Sequence, residues 1–118
     1  MKNLILRNLC LLLMAIGLFY GCEKESNQRK PTACETQMKE RFKDDLVCGE
    51  KNVRESNLYS GFYKNEQVYF TMIMCLACNT APPAFGYTCD NEKVEFDNFQ
   101  DVMDIKEVYN SCTKTFTK

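Results

Sequence analysis

The sequence predicts an α+β fold: an antiparallel sheet of about four strands, packed by an N-terminal and a C-terminal helix and stapled by disulfides. Three observations predict it. A helix-start signature opens at Thr32, and apolar residues recur behind it at helical spacing. Two runs rich in aromatic and β-branched residues occupy the middle of the chain. Eight Cys in 118 residues exceed ordinary usage several-fold, as in domains held by covalent bridges.

Thr32-Ala33-Cys34-Glu35 fits the capping box, in which the hydroxyl and the carboxylate each satisfy an orphan amide. Cys34, Met38, Phe42 and Leu46 then form one apolar stripe, which predicts a helix over 33–46, stopped near Gly49. Residues 49–57 are polar and read as a loop. Strands are predicted over 58–63 and 68–75, with Lys64-Asn65-Glu66-Gln67 as a tight hairpin turn in which Asn tolerates positive φ. The second of these is apolar at nearly every position and suits the middle of a sheet. Asn79-Thr80-Ala81-Pro82-Pro83 breaks the chain, because each Pro removes an amide and restricts its neighbour. Strands over 84–89 and 93–96 follow. Finally, Asn98 precedes Phe99, Val102, Ile105, Tyr109 and Cys112, which share a helical face and predict a second helix over 99–111.

Residues 1–21 stand apart as a signal peptide. Lys2 and Arg7 precede an uncharged run from Leu9 to Tyr20, which has the length of a signal-peptide core and is too short to span a bilayer. An ordinary cleavage site after Gly21 would put Phe19 at the position that wants a small residue. The junction Leu18-Phe19-Tyr20-Gly21-Cys22 instead resembles a lipobox, with Phe19 and Tyr20 replacing its usual residues. With the charged segment Glu23-Lys24-Glu25-Ser26 behind it, the chain resembles the small Cys-rich lipoproteins of Bacteroidota, a domain family without an assigned function. That resemblance implies acylation of Cys22 and residence in the cell envelope, anchored in the outer membrane on its periplasmic or its surface face. Residues 22–31 read as a flexible tether, and 32–118 as the disulfide-rich domain.

Cysteine arithmetic fits this reading. Cys10 leaves with the signal peptide and Cys22 takes lipid, so Cys34, Cys48, Cys75, Cys78, Cys89 and Cys112 remain. Six is even, and fifteen pairings are open. A helix running most of the way from Cys34 to Cys48 would hold them about 20 Å apart, whereas a disulfide needs Cα atoms within roughly 7 Å. Those two are therefore bonded elsewhere. Cys75 and Cys78 can pair with each other only if the chain turns between them.

Composition narrows the function. With no His, the chain has no Ser-His-Asp triad and no His-ligated metal. Removing Lys2 and Arg7 from the 15 basic residues leaves 13 against 16 acidic ones, which is no footprint for nucleic acid. The carboxylates Asp44, Asp45, Asp90, Asp97, Asp101 and Asp104 match no calcium loop and read as solvated surface. The expectation is a lipid-anchored binding or interaction module with no catalysis and no cofactor. Its partners are the membrane, through the acyl chains, and an unknown envelope protein or ligand. The recognition loop is Asn79, Thr80, Pro82 and Pro83, beside Tyr59, Phe62, Tyr63 and Phe85. Two alternatives are a structural envelope lipoprotein and a thiol-disulfide oxidoreductase using Cys75-Leu76-Ala77-Cys78.

Overall fold

The computed structural model describes residues 28–117; the predicted signal peptide and Cys22 lie outside the described residues. Thr32 caps the helix α1 (Ala33–Arg41) as its sequence dictates. The Thr32 hydroxyl accepts from the Glu35 amide at 3.1 Å, and a Glu35 carboxylate oxygen accepts from the Thr32 amide at 2.8 Å.

Glu35 has a further partner that ties down the end of the predicted tether. Both terminal nitrogens of Arg29 donate to its carboxylate, at 2.9 and 2.8 Å, while Arg29 Nε donates to the Thr117 carbonyl at 2.9 Å. The chain thus begins its tertiary contacts before Thr32. The Arg29 guanidinium, opposed by desolvation and helped by the Thr32 amide, holds the Glu35 carboxyl below its ordinary 4.5. A depressed folded-state pKa stabilises the native state fully above the unfolded value and ceases to do so as pH falls through the folded one. An NMR titration of the Thr32 amide and Arg29 Hε resonances is expected to show a shared midpoint below pH 4.5. A midpoint at or above that value contradicts the pairing.

Seven strands follow: β1 (Cys48–Glu50), β2 (Arg54–Tyr63), β3 (Glu66–Cys75), β4 (Phe85–Tyr87), β5 (Lys93–Glu95), β6 (Met103–Asn110) and β7 (Thr115–Phe116). They make one sheet in the order β5-β4-β3-β2-β6-β7, and every pairing is antiparallel. β3 occupies one edge of β2 along its whole length, so β1 and β6 share the other edge end to end. The β2–β3 hairpin turns on Lys64 and Asn65, at φ 49° and 66°, the twist that a two-residue turn needs between right-twisted strands.

Each face of the sheet carries a core. On one face α1 lays Met38, and the following turn lays Phe42, onto Leu58, Tyr69, Val108 and Tyr109. On the other, Tyr59, Tyr63, Val68, Phe70 and Val102 are buried beneath Phe96 and Phe99. Gly86 is required where β4 crosses β3: a Cβ there would lie 2.7 Å from the Tyr69 carbonyl oxygen and 3.0 Å from Phe96.

This architecture corrects the predicted α+β class of about four strands between two helices. Among the described residues there is one α-helix of nine residues, and the sheet has seven strands. The first helix ends at Arg41 rather than residue 46. Asp44 and Asp45 would have placed negative charge at the negative end of the helix dipole, and the chain turns there instead. The turn keeps Leu46 packed against the same core. Residues 49–57, read as loop, contain the end of β1, a turn at 51–53 and the start of β2.

The larger correction is at the C-terminus. Residues 99–111 are a short 3-10 turn (Phe99–Asp101) and then β6. Asn98 does cap, through its side chain accepting from the Gln100 amide at 3.1 Å, but the helix it starts lasts one turn. The long edge of β2 demands a partner, and Val102, Ile105, Val108 and Tyr109 have strand propensity to supply it. Two irregularities in the β2–β6 register, together with positive φ at Asp104, shift which residues face inward. Those bulges break the period of two and leave a spacing that imitates a helix.

The six domain cysteines form three bridges: Cys34–Cys89, Cys48–Cys112 and Cys75–Cys78. Cys34–Cys89 joins the start of α1 to the β4–β5 turn. The other end of α1 is held there too, with Arg41 Nε donating to Asn91 Oδ1 at 2.6 Å and its guanidinium 3.8 Å above the Tyr87 ring. Cys48–Cys112 ties β1 to the turn after β6. Cys75–Cys78 closes a turn at Leu76 and Ala77 on the end of β3.

Candidate functional site

Beyond the end of α1, the sheet is not covered by the helix. A cavity of about 780 Å3 opens there, within the roughly 300–1,000 Å3 common for ligand sites. Its walls come from four places in the chain: Asp44, Asp45 and Val47 after the helix; Arg54, Glu55 and Ser56 of β2; Thr71, Met72 and Ile73 of β3; and Thr80, Ala81, Pro82 and Pro83. Gly49 and Phe99 complete the lining.

Three of the four residues predicted as the recognition loop therefore line one cavity: Thr80, Pro82 and Pro83. Asn79 is exposed and is not part of the wall. The aromatic residues named with that loop divide. Tyr59 and Tyr63 are core, while Phe62 and Phe85 are partly exposed and lie outside the cavity. Asp44 and Asp45, read as solvated surface, are exposed but stand on the cavity rim.

The surroundings are apolar to an extent unusual for surface. Ile73 is 48% exposed, Leu76 is 86% exposed, and Val47, Val53 and Met74 are likewise open to solvent. Val53 and Leu76 are neighbours, joined by the Leu76 amide donating to the Val53 carbonyl. Val47 and Ile73 line the cavity itself, and exposed apolar side chains at a concave site are a mark of interaction regions. The sequence carried one signal of it: the run Met72-Ile73-Met74 keeps no polar alternation although the chain there is at the end of a strand.

Behind the cavity, a polar cluster is enclosed in the sheet. Asn57, fully buried, donates through Nδ2 to Glu55 Oε1 and Glu107 Oε2, both at 3.0 Å. Its Oδ1 accepts from the Ser111 amide at 2.8 Å. Asn110 adds a contact to Glu55 at 3.3 Å and accepts from the Cys112 and Thr113 amides. Burial, and then the Glu107 charge, pushes the Tyr59 phenol up to about 12. This cluster holds the turn that carries Cys112 against β2, and one Glu55 oxygen within it accepts no hydrogen bond. Among the described residues, no group of three or more His, Cys, Asp or Glu side chains is placed to hold a metal ion.

The CxxC turn lies beside the cavity. A nucleophilic thiol of that motif draws its low pKa from a helix N-terminus. Here no helix follows Cys78; residues 79–84 are irregular up to β4.

Fold and site together define a disulfide-stapled antiparallel sheet with one helix across part of one face and a lined groove beyond it. No family model, curated protein or solved structure matches the chain, so its fold and its groove are described by their own geometry.

Proposed function

We propose that this protein is a lipid-anchored module of the cell envelope that binds a partner in the groove between β3 and residues 80–83. The groove carries the reading: a concave site of about 780 Å3, bordered by exposed apolar side chains and walled by two prolines. Proline fixes φ, so this wall loses little entropy when a partner settles against it. The three bridges use all six cysteines after Cys22, which leaves Cys22 as the one cysteine after the signal run for acylation. No helix of the described residues is long and apolar enough to cross a membrane, and acyl chains on Cys22 would supply attachment. Catalysis has no part in this reading.

The anchor and the site are tested separately. Cells fed an alkyne fatty acid are expected to label the chain, and Cys22→Ser is expected to abolish the label. Label persisting in that variant removes the anchor. A photoreactive amino acid at Ile73 is expected to cross-link a partner in intact cells, while the same group at Phe62 gives no adduct. Equal cross-linking from both positions removes the groove.

A second reading has one observation in its favour. The Cys75–Cys78 bridge sits on an exposed turn, which suits thiol-disulfide exchange. Oxidoreductase activity would appear as oxidation of a dithiol substrate to its disulfide, with the Cys75–Cys78 bridge reduced to two thiols in exchange, and would be abolished by Cys75→Ser and Cys78→Ser.

A further inference from the structure

The ligand class follows from the backbone at the edge of β3. The turn at Lys64-Asn65 makes Tyr63 and Glu66 a hydrogen-bonded pair, and such pairs alternate along an antiparallel hairpin. Even-numbered residues of β3 therefore direct their N–H and C=O groups to β2. Odd-numbered ones direct theirs to the opposite edge. Tyr69 agrees with this, since its carbonyl oxygen faces Gly86 of β4.

β4 uses little of that edge. Its register with β3 consists of the single pair Tyr69↔Tyr87. Continued in step, Phe85 would stand opposite Thr71, and Pro83 opposite Ile73. Pro83 has no N–H to give, and Pro82 beside it has none either, so the ladder stops and the chain swings away. Among the described residues, no backbone hydrogen bond outside the strand ladders reaches Thr71, Ile73 or Cys75. Thr71 and Ile73 line the groove together with Pro82 and Pro83, of which Pro83 is the residue that fails to pair with Ile73. An open strand edge inside an apolar groove is a template for one more strand.

Charge selects the occupant. Asp44, Asp45 and Glu55 line the groove against one cation, Arg54. We propose that an extended peptide segment carrying Lys or Arg adds to the open edge of β3 as an eighth strand. This inference rests on the groove-binding reading and specifies its ligand. Backbone hydrogen bonds to Thr71, Ile73 and Cys75 supply affinity that is indifferent to sequence. Alternate side chains, meeting Ile73 and the proline wall, supply selectivity, and the cation meets the two aspartates on the rim.

The test uses the full chain and a phage-displayed library of random twelve-residue peptides. Selected peptides are expected to alternate apolar residues and to carry Lys or Arg. A bound peptide is expected to slow amide exchange at Thr71, Ile73 and Cys75 at least tenfold, leaving Met72 and Met74, already bonded to β2, unchanged. Asp44→Asn with Asp45→Asn is expected to weaken the peptide about tenfold at low salt and to leave that protection pattern in place. A peptide lost on Ile73→Arg that leaves those three amides exchanging freely overturns strand addition and keeps the groove. Failure to select any peptide sensitive to Ile73→Arg overturns both. Protection that appears without peptide and grows with protein concentration gives the edge to a second copy of the chain and overturns the peptide ligand.

Discussion

Replacing Cys48 and Cys112 together by Ala is expected to lower the unfolding free energy by about 4 kcal/mol and the Tm by roughly 20 °C. The magnitude follows from the chain that the bridge closes. Its ends are 64 residues apart, and cross-linking entropy grows with the logarithm of that separation. Cys34–Cys89, at a separation of 55, should matter nearly as much. Cys75–Cys78, at a separation of 3, should contribute only about 1.5 kcal/mol by the same relation. Thermal unfolding of the three double variants is the check. The ranking is the sharper test: a Cys75–Cys78 loss as large as the Cys48–Cys112 loss contradicts it. The ranking also bears on function. A bridge that adds little to global stability, at the end of β3 and beside the groove, is better understood as shaping residues 76–83 than as holding the fold together.

Phe70→Ala is expected to cost about 3–5 kcal/mol, enough to leave a domain of this size largely unfolded at physiological temperature. Phe70 is fully buried, and its ring packs edge-on against Phe96 at 5.8 Å and Phe99 at 5.3 Å, with Tyr59 stacked at 6.4 Å. Alanine would open a cavity under the segment that closes this face of the sheet. By contrast Ile73→Ala, on the same strand but half exposed, should shift stability by no more than about 0.5 kcal/mol. Urea unfolding of the two variants measures the difference. Comparable losses would mean that Ile73 belongs to the core and not to the groove.

Local chemistry was legible in the sequence and nonlocal pairing was not. Thr32 and Glu35 announce the helix start because every partner of the cap lies within four residues. The β2–β3 hairpin is likewise readable as a local turn, although the sequence spread over Lys64–Gln67 a turn that Lys64 and Asn65 make alone, with Glu66 and Gln67 already in β3. The need for a turn between Cys75 and Cys78 followed from distance; Cys34 and Cys48 do have separate partners, but the helix over 33–46 from which that was argued ends at Arg41. β6 escaped because its partner is some fifty residues away and its bulges erase the alternation that marks a strand. The groove was half visible. Two adjacent prolines point to an irregular wall, and three of the four residues named there do line it. Asp44, Asp45 and Ile73 could be added only once the sheet had brought them to that wall, because no local pattern relates a post-helix turn to the far end of a strand.

In the proposed function, recognition takes place at the groove edge of β3 and not elsewhere on the exposed apolar surface. The most direct measurement compares the dissociation constant of a selected peptide for Ile73→Arg and for Phe62→Arg. Both positions are partly exposed and apolar, and both lie on long central strands, but only Ile73 lines the groove. At least a tenfold loss is expected for Ile73→Arg and an unchanged constant for Phe62→Arg. Equal affinity in the two variants, or a loss confined to Phe62→Arg, would contradict it.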